Sequence, residues 1–218
     1  MEFDKEKFDI SGAQMAHLTY WSNTTERIYG FGIQYSYLDM KGLKVPILVR
    51  EQGNGRGLQP ITMLQNIFME YTGGSWDTTY APTPYYLTSQ KRALFLTNYE
   101  FSIFDLTDRD KIKISVLSSK ISGRIIGANS LLDIIESYTL YTGRIKKLPD
   151  WITSGAVIGM ELGQSHVESV YAKLKQNGVP IAAFWLQDWV GLRKAPWGEA
   201  LKWNWNLIKF NILIGQIW

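Results

Sequence analysis

The stretch FWLQDWVGLRK, residues 184–194, sets an amide, Gln187, and a carboxylate, Asp188, between two indoles, Trp185 and Trp189. Ring faces stack on the C–H faces of a sugar, while an amide and a carboxylate exchange hydrogen bonds with its hydroxyls. Recognition of a hydroxylated ligand is the chemistry these residue types offer together. The competing reading is structural: a loop Asp that bonds its own backbone. A second carboxylate, Glu161 in MELG (160–163), follows another short apolar run, and KWNWN adds Trp203 and Trp205 downstream.

Other chemistries find little support. Cysteine is absent and only His17 and His166 are present, so no disulfide, thiol nucleophile, zinc site or histidine metal centre is expected, and no cofactor. The net charge of +3 is spread along the chain without a basic stripe for nucleic acid. No segment has the length of a membrane span, and MEFDKEKFDI lacks the apolar run of a secretory leader, which favours the cytoplasm. Asn23-Thr24-Thr25 fits a glycosylation acceptor, a pattern that recurs by chance. The 9 Trp, 12 Tyr and 9 Phe serve equally as core payload or as sugar platforms.

Two grammars organise the chain. From about residue 18 to 118, HLTYWS, KVPILVRE, YYLTSQ, ALFLTNY, FSIFDL and KIKISVL read as strands, with GNGRG, TGGSWD and APTP as turns. These predict an antiparallel β-sandwich. EQGNGRG lacks the Lys-Ser/Thr ending of a phosphate loop and shows no helix pattern after it, so it reads as a loop shaping a rim. Leu131, Ile134, Ile135 and Tyr138 at helical spacing predict a linking helix closed by Gly143 and Pro149.

Beyond it the pattern turns to β-α-β. GAVIGM and IAAFW read as buried parallel strands. SHVESVYAKLKQNG between them reads as a helix with Ser165 and Glu168 in capping-box spacing, an apolar face of Val167, Val170, Tyr171 and Leu174, and a stop at Gly178. In β/α barrels the residues just past the carboxyl ends of strands face the active site. Glu161 and Asp188 both hold that sequence position.

The blocks ERIYGFGIQYSYLDMKGLKVPILVREQGNGRGLQPIT, LPDW, GVPIAAFWLQDWVG and KWNWN resemble, in order, those of glycoside hydrolase family 31, the α-glucosidase family, and within it the bacterial sulfoquinovosidase and α-glucosidase branch. The resemblance runs from about Glu26 to Asn206. It implies an amino-terminal β-sandwich, residues 1–125, a linking helix, 126–150, and the first β-α-β part of a (β/α)8 barrel, 151–218, with a divergent tail at 207–218. It implies retaining hydrolysis of α-glycosides by two carboxylates. Asp188, Gln187, Trp189 and Trp203 would line the sugar subsite, with Glu161 beside them.

Departures from the family pattern carry their own expectations. Where the family grips a sulfonate with an arginine, this chain has Ala200, and Glu161 replaces a glutamine. Alanine cannot bond an anion and a carboxylate repels one, so the pair favours neutral α-glucosides unless Arg193 or Lys194 substitutes. Ile33 replaces a glutamate of the GxGEQF block, either retuning a sandwich loop or as packing. A full barrel takes about 250 residues, and about 70 follow Lys147. The expectation is therefore an incomplete barrel on a chain cut short, without the family's two catalytic aspartates, and with LIKFNILIGQIW matching nothing in the family. Asp105, Asp108 and Asp110 read as a solvated turn and do not replace them. Such a chain is expected to be poorly soluble and inert towards aryl α-glucosides. A sugar-binding module using Asp188, Trp189, Trp203 and Trp205, or a β-protein whose aromatics are only core, are the other readings.

Overall fold

The computed structural model describes residues 2–3, 14–50, 52–68, 73–186, 189, 192–195 and 198–201. The chain divides into two compact units, Met1–Arg144 and Ile145–Trp218.

The first unit is built from strands β1 (Glu2–Phe3), β2 (Ala16–Trp21), β3 (Ile28–Gly32), β4 (Lys44–Ile47), β5 (Pro82–Thr88), β6 (Arg92–Leu96), β7 (Ser102–Asp105), β8 (Lys111–Val116) and β9 (Gly123–Gly127), with helices α1 (Ile61–Phe68) and α2 (Leu131–Thr142). The strands form two antiparallel sheets, ordered β1-β9-β6-β5-β3 and β2-β8-β7-β4. Alternation explains the pairing: in β8, Ile112, Ile114 and Val116 are buried while Lys111 and Lys113 are exposed. The buried faces of both sheets share one core, which joins Ile28, Phe31, Tyr86, Leu94 and Leu96 to Val45, Phe104, Ile112, Ile114 and Val116. At its centre the Phe31 ring lies 5.5 Å from Tyr86 and 5.1 Å from Phe104, an edge-and-stack trio whose contacts add about 1 kcal/mol each to burial.

The Gly30-Phe31-Gly32 segment makes that trio possible. The register against β5 shifts between Gly30 and Gly32, and Phe31 sits at φ 69°, in the left-handed region, with its ring in the core. The flanking glycines are sterically required. A Cβ on Gly30 would stand 2.6 Å from the Tyr85 carbonyl oxygen, and one on Gly32 2.0 Å from that of Ala81.

Helix α2 starts at Ser130, whose Oγ accepts from the Asp133 amide at 3.1 Å, and ends at Gly143 with φ 89°. It buries Ile134 and lays Tyr138 flat on Tyr85 at 3.9 Å, on the side chains that alternate with the inter-sheet core residues of β5 and β6. Burial pushes the Tyr85 hydroxyl up to about 12.

Three readings from sequence need correction here. APTP is strand rather than turn: Pro82 and Pro84 open β5 where its register against β3 is irregular and before its pairing with β6 begins at Tyr85, so no ladder donor is lost. KVPILVRE is strand only to Ile47; Val49 makes a single bridge with Thr79. The Gly-rich loop is followed by a helix after all, α1; Ile61, Leu64 and Phe68, with Met63 and Ile67, stand at helical spacing that the sequence reading passed over, although these side chains are largely exposed.

The second unit contains α3 (Asp150–Thr153), β10 (Ala156–Met160), α4 (Gln164–Gln176), β11 (Ile181–Leu186), β12 (Leu192–Ala195) and β13 (Gly198–Leu201). Strands β10 and β11 pair in parallel with α4 as their crossover, and β12 and β13 form an antiparallel pair. Gly178, at φ 68°, ends α4, and the Val179 amide donates back to Leu174 at 3.0 Å. Tyr171 of α4 meets Phe184 of β11 edge to face at 5.9 Å.

Two further expectations fail in this unit. The strands read as buried are largely open: in β10 only Met160 is buried, and Trp185 of β11 is exposed, because one crossover helix cannot cover two faces of a two-stranded sheet. The capping box is not formed either. Gly163 is the N-cap, Ser165 falls inside the first turn, and Glu168 instead accepts from Gln164 Nε2 at 2.7 Å.

Candidate functional site

Parallel pairing brings two strand ends together. Met160, the last residue of β10, is in register with Leu186, the last of β11, so both chains leave the sheet at its carboxyl edge side by side. Glu161 is the first residue past that edge and is exposed. Leu162 follows at φ 69°, a left-handed kink that directs the chain into α4. Trp189, three residues past Leu186, is half-buried, and its Nε1 is buried without a hydrogen-bond partner among the described residues. Such a donor is costly unless something accepts from it. Gln187, Asp188 and Trp203, with Trp205 and the tail, lie outside the described residues. Of the residues singled out from sequence, the structure thus brings Glu161 and the Trp189 segment to one sheet edge.

The β12–β13 register sets Arg193 opposite Ala200 and Lys194 opposite Glu199. The position that lacks an arginine therefore has one as its cross-strand neighbour.

In the first unit the Gly-rich loop is organised by Arg56. Its Nη2 donates to the carbonyl oxygens of Gln34, of Trp76 at 3.1 Å and of Thr78 at 3.0 Å, and its Nε donates to Ser75 at 3.3 Å. One guanidinium thus ties residues 34–36 and 75–78 to the loop at 52–57. The fixed fork of donors is what lets a single side chain serve four carbonyls. Ile33, where the family has a glutamate, is 46% exposed, so it is not a core residue, whereas Gln34 is buried and donates to Phe31.

The strongest electrostatic feature is also here. Glu26 is fully buried, accepts from Arg92 Nε at 2.8 Å and Nη2 at 2.6 Å, and accepts from Ser22 Oγ at 2.7 Å. Burial alone would raise its carboxyl; the bonds from Arg92, Thr88 and Ser22 outweigh that and hold it at about 2. The same hydrogen bond raises the Arg92 guanidinium against the opposing pull of burial, while burial lowers the Lys41 ammonium, which donates to Ser22 at 2.6 Å. This cluster is structural and lies among the sandwich strands. Sequence reading missed both it and Arg56, because neither partner spacing nor residue type marks a pair that tertiary pairing creates.

Among the described residues no group of three or more His, Cys, Asp or Glu could hold a metal, and no helix is long and apolar enough to cross a membrane. Asp105 accepts from Thr107 and Asp108 from the Asp110 amide, the bonding of a turn.

No family model matches the chain. The sulfoquinovosidase of Agrobacterium fabrum is 32% identical over 185 residues, 85% of this chain and 28% of its own length. That of Escherichia coli is 31% identical over 181 residues, 83% of this chain and 27% of its own. A glycoside hydrolase family 31 sulfoquinovosidase from E. rectale, solved with the aza-sugar inhibitor IFGSQ, superposes with a TM-score of 0.80 at 28% identity, over 91% of this chain and 30% of the other. The chain is a homologue of the family 31 glycoside hydrolases. It spans less than a third of these relatives.

Proposed function

We propose that this chain supplies the amino-terminal sandwich and part of the sugar subsite of a retaining α-glycosidase, with β10, α4 and β11 as the first β-α-β unit of its (β/α)8 barrel. The observation that carries the reading is the in-register ending of β10 and β11 at Met160 and Leu186, immediately before Glu161 and Gln187 in the sequence. In this reading Asp188 accepts hydrogen bonds from hydroxyls of the terminal sugar, with Gln187, Trp189 and Trp203 around it. The buried Trp189 Nε1 supports it, since a ligand oxygen would satisfy that donor. In this reading neither the nucleophile nor the acid/base is assigned to a residue named above, and the activity under test is sugar binding. Calorimetric titration with methyl α-glucoside tests this. Millimolar binding that Asp188→Ala abolishes is expected; binding indifferent to that change contradicts it.

A second substrate reading rests on a specific observation. The relatives above are sulfoquinovosidases, and Arg193 stands at the register position of Ala200. An arginine there could replace the missing anion ligand, because residues directly opposite across antiparallel strands share a face. The titration then favours methyl α-sulfoquinovoside over the glucoside, and Arg193→Gln reverses the preference.

A further inference from the structure

A surface cleft of about 410 Å³ opens at the end of β2, lined by Trp21, Ser22, Asn23, Gln90 and Arg92. Nothing in the chemistry above uses it. Trp21 closes the strand yet is 72% exposed, an unusual place to leave an indole. The ring is held rather than loose: Lys111, its cross-strand partner, sets its ammonium 5.2 Å from the ring centre.

The polar lining has donors to spare. Arg92 spends Nε and Nη2 on Glu26 and on the Trp21 carbonyl at 2.9 Å, so the planar fork leaves Nη1 on the opposite edge. Asn23 spends its Oδ1 on Thr25, whose amide and hydroxyl both donate to it at 3.0 Å, which leaves its Nδ2 hydrogens. Gln90 is exposed, and only its backbone amide is engaged, donating to Thr88 Oγ1. The Ser22 hydroxyl, in contrast, is committed to Glu26 and Lys41.

The charge in the cleft is nearly balanced. Arg92 is paired by Glu26, Lys41 feels Glu26, Asp108 and Asp110, and the Lys111 ammonium rests on the Trp21 ring, so the lining itself adds no unpaired cation to select an anion. A flat ring beside two amides and one guanidinium edge suits a ring-shaped ligand with many hydroxyls and no charge. We propose that this cleft is a carbohydrate-binding site separate from the β10–β11 edge, stacking one residue of a neutral oligosaccharide on Trp21 while Asn23, Gln90 and Arg92 hold its hydroxyls. It does not depend on the glycosidase reading, because no residue is shared.

One stacked ring and a few solvent-facing hydrogen bonds support a Kd of about 1 mM. The test is titration of the full chain, carrying 15N-labelled indoles, with maltotriose and, separately, isomaltotriose and raffinose. The Trp21 resonance is assigned by its disappearance in Trp21→Phe. At least one sugar should shift it saturably. Gln90→Ala, an exposed change with no folding cost, should weaken binding about three- to tenfold, and Trp21→Ala by more than about tenfold. Asp188→Ala should leave the shift unchanged, which separates this site from the proposed subsite. A Trp21 resonance unmoved by all three sugars at tens of millimolar overturns the proposal, as does binding of the same sugar, read by calorimetry, that survives Trp21→Ala.

Discussion

Replacing Glu26 with Gln keeps volume and one acceptor but removes the charge from the most buried ionic group of the sandwich. Held at about 2 against an ordinary 4.5, the carboxyl contributes on the order of 3 kcal/mol to stability at neutral pH. The Arg92 side chain is 39% exposed, and solvent screening at that end trims the figure to about 2–3 kcal/mol. Because the folded value lies below the unfolded one, this contribution is complete above about 4.5 and is lost as pH falls towards 2. Urea unfolding followed by tryptophan fluorescence reads it directly. Glu26→Gln should lose about 2–3 kcal/mol at pH 7, and the gap to the unmodified chain should close between pH 4.5 and 2. Arg92→Met should reverse the sign: burial would then raise the unpaired carboxyl, and that variant should gain stability as the acid protonates it. A Glu26→Gln penalty under about 0.5 kcal/mol, or one constant from pH 7 to 2, refutes the reasoning.

The remaining expectations are structural. Gly32→Ala should cost about 3 kcal/mol or more, read as a lower thermal midpoint, since its Cβ would stand 2.0 Å from a carbonyl oxygen at φ 94°. An unchanged midpoint contradicts the bulge account of Phe31. Arg56→Lys should cost about 2 kcal/mol and speed amide exchange at Thr78, whose carbonyl the guanidinium holds, because an ammonium cannot span four carbonyls. Equal exchange in both chains contradicts the role given to Arg56.

What the sequence disclosed follows from where periodicity decides structure. Strands β7 and β8 alternate cleanly because one face meets the shared core and the other meets water, and the linking helix shows its spacing because Ile134 and Tyr138 pack on the sheet. Strand β3 was hidden by the two glycines its bulge demands, and the opening of β5, ahead of the YYLT read as strand, by prolines that are harmless only where the ladder is already broken. Helix α1 was legible in the spacing of Ile61, Leu64 and Phe68 but is only eight residues long and follows a Gly-rich loop, which drew the reading towards a rim loop. In the second unit the order strand, helix, strand was legible, yet burial was not: apolar runs promise a covered strand only when further layers exist to cover them. Of the candidate subsite, sequence supplied the residue types, and the structure supplies the paired ends of the two strands that precede Glu161 and Gln187. Arg56 and the Glu26–Arg92 pair could not be read in advance, since their partners lie 19 to 66 residues away and are met only in the folded chain.

The indole Nε1–H of Trp189 offers the most direct probe of the proposed sugar subsite, because it is buried without a hydrogen-bond partner among the described residues, three positions past the end of β11. Methyl α-glucoside, or its sulfoquinovoside counterpart, added to the 15N-indole-labelled chain should move the Trp189 resonance saturably, and Asp188→Asn should abolish the movement while leaving the other indoles in place. A Trp189 resonance that neither sugar moves, or one moved equally with and without the Asp188 carboxylate, would contradict the account.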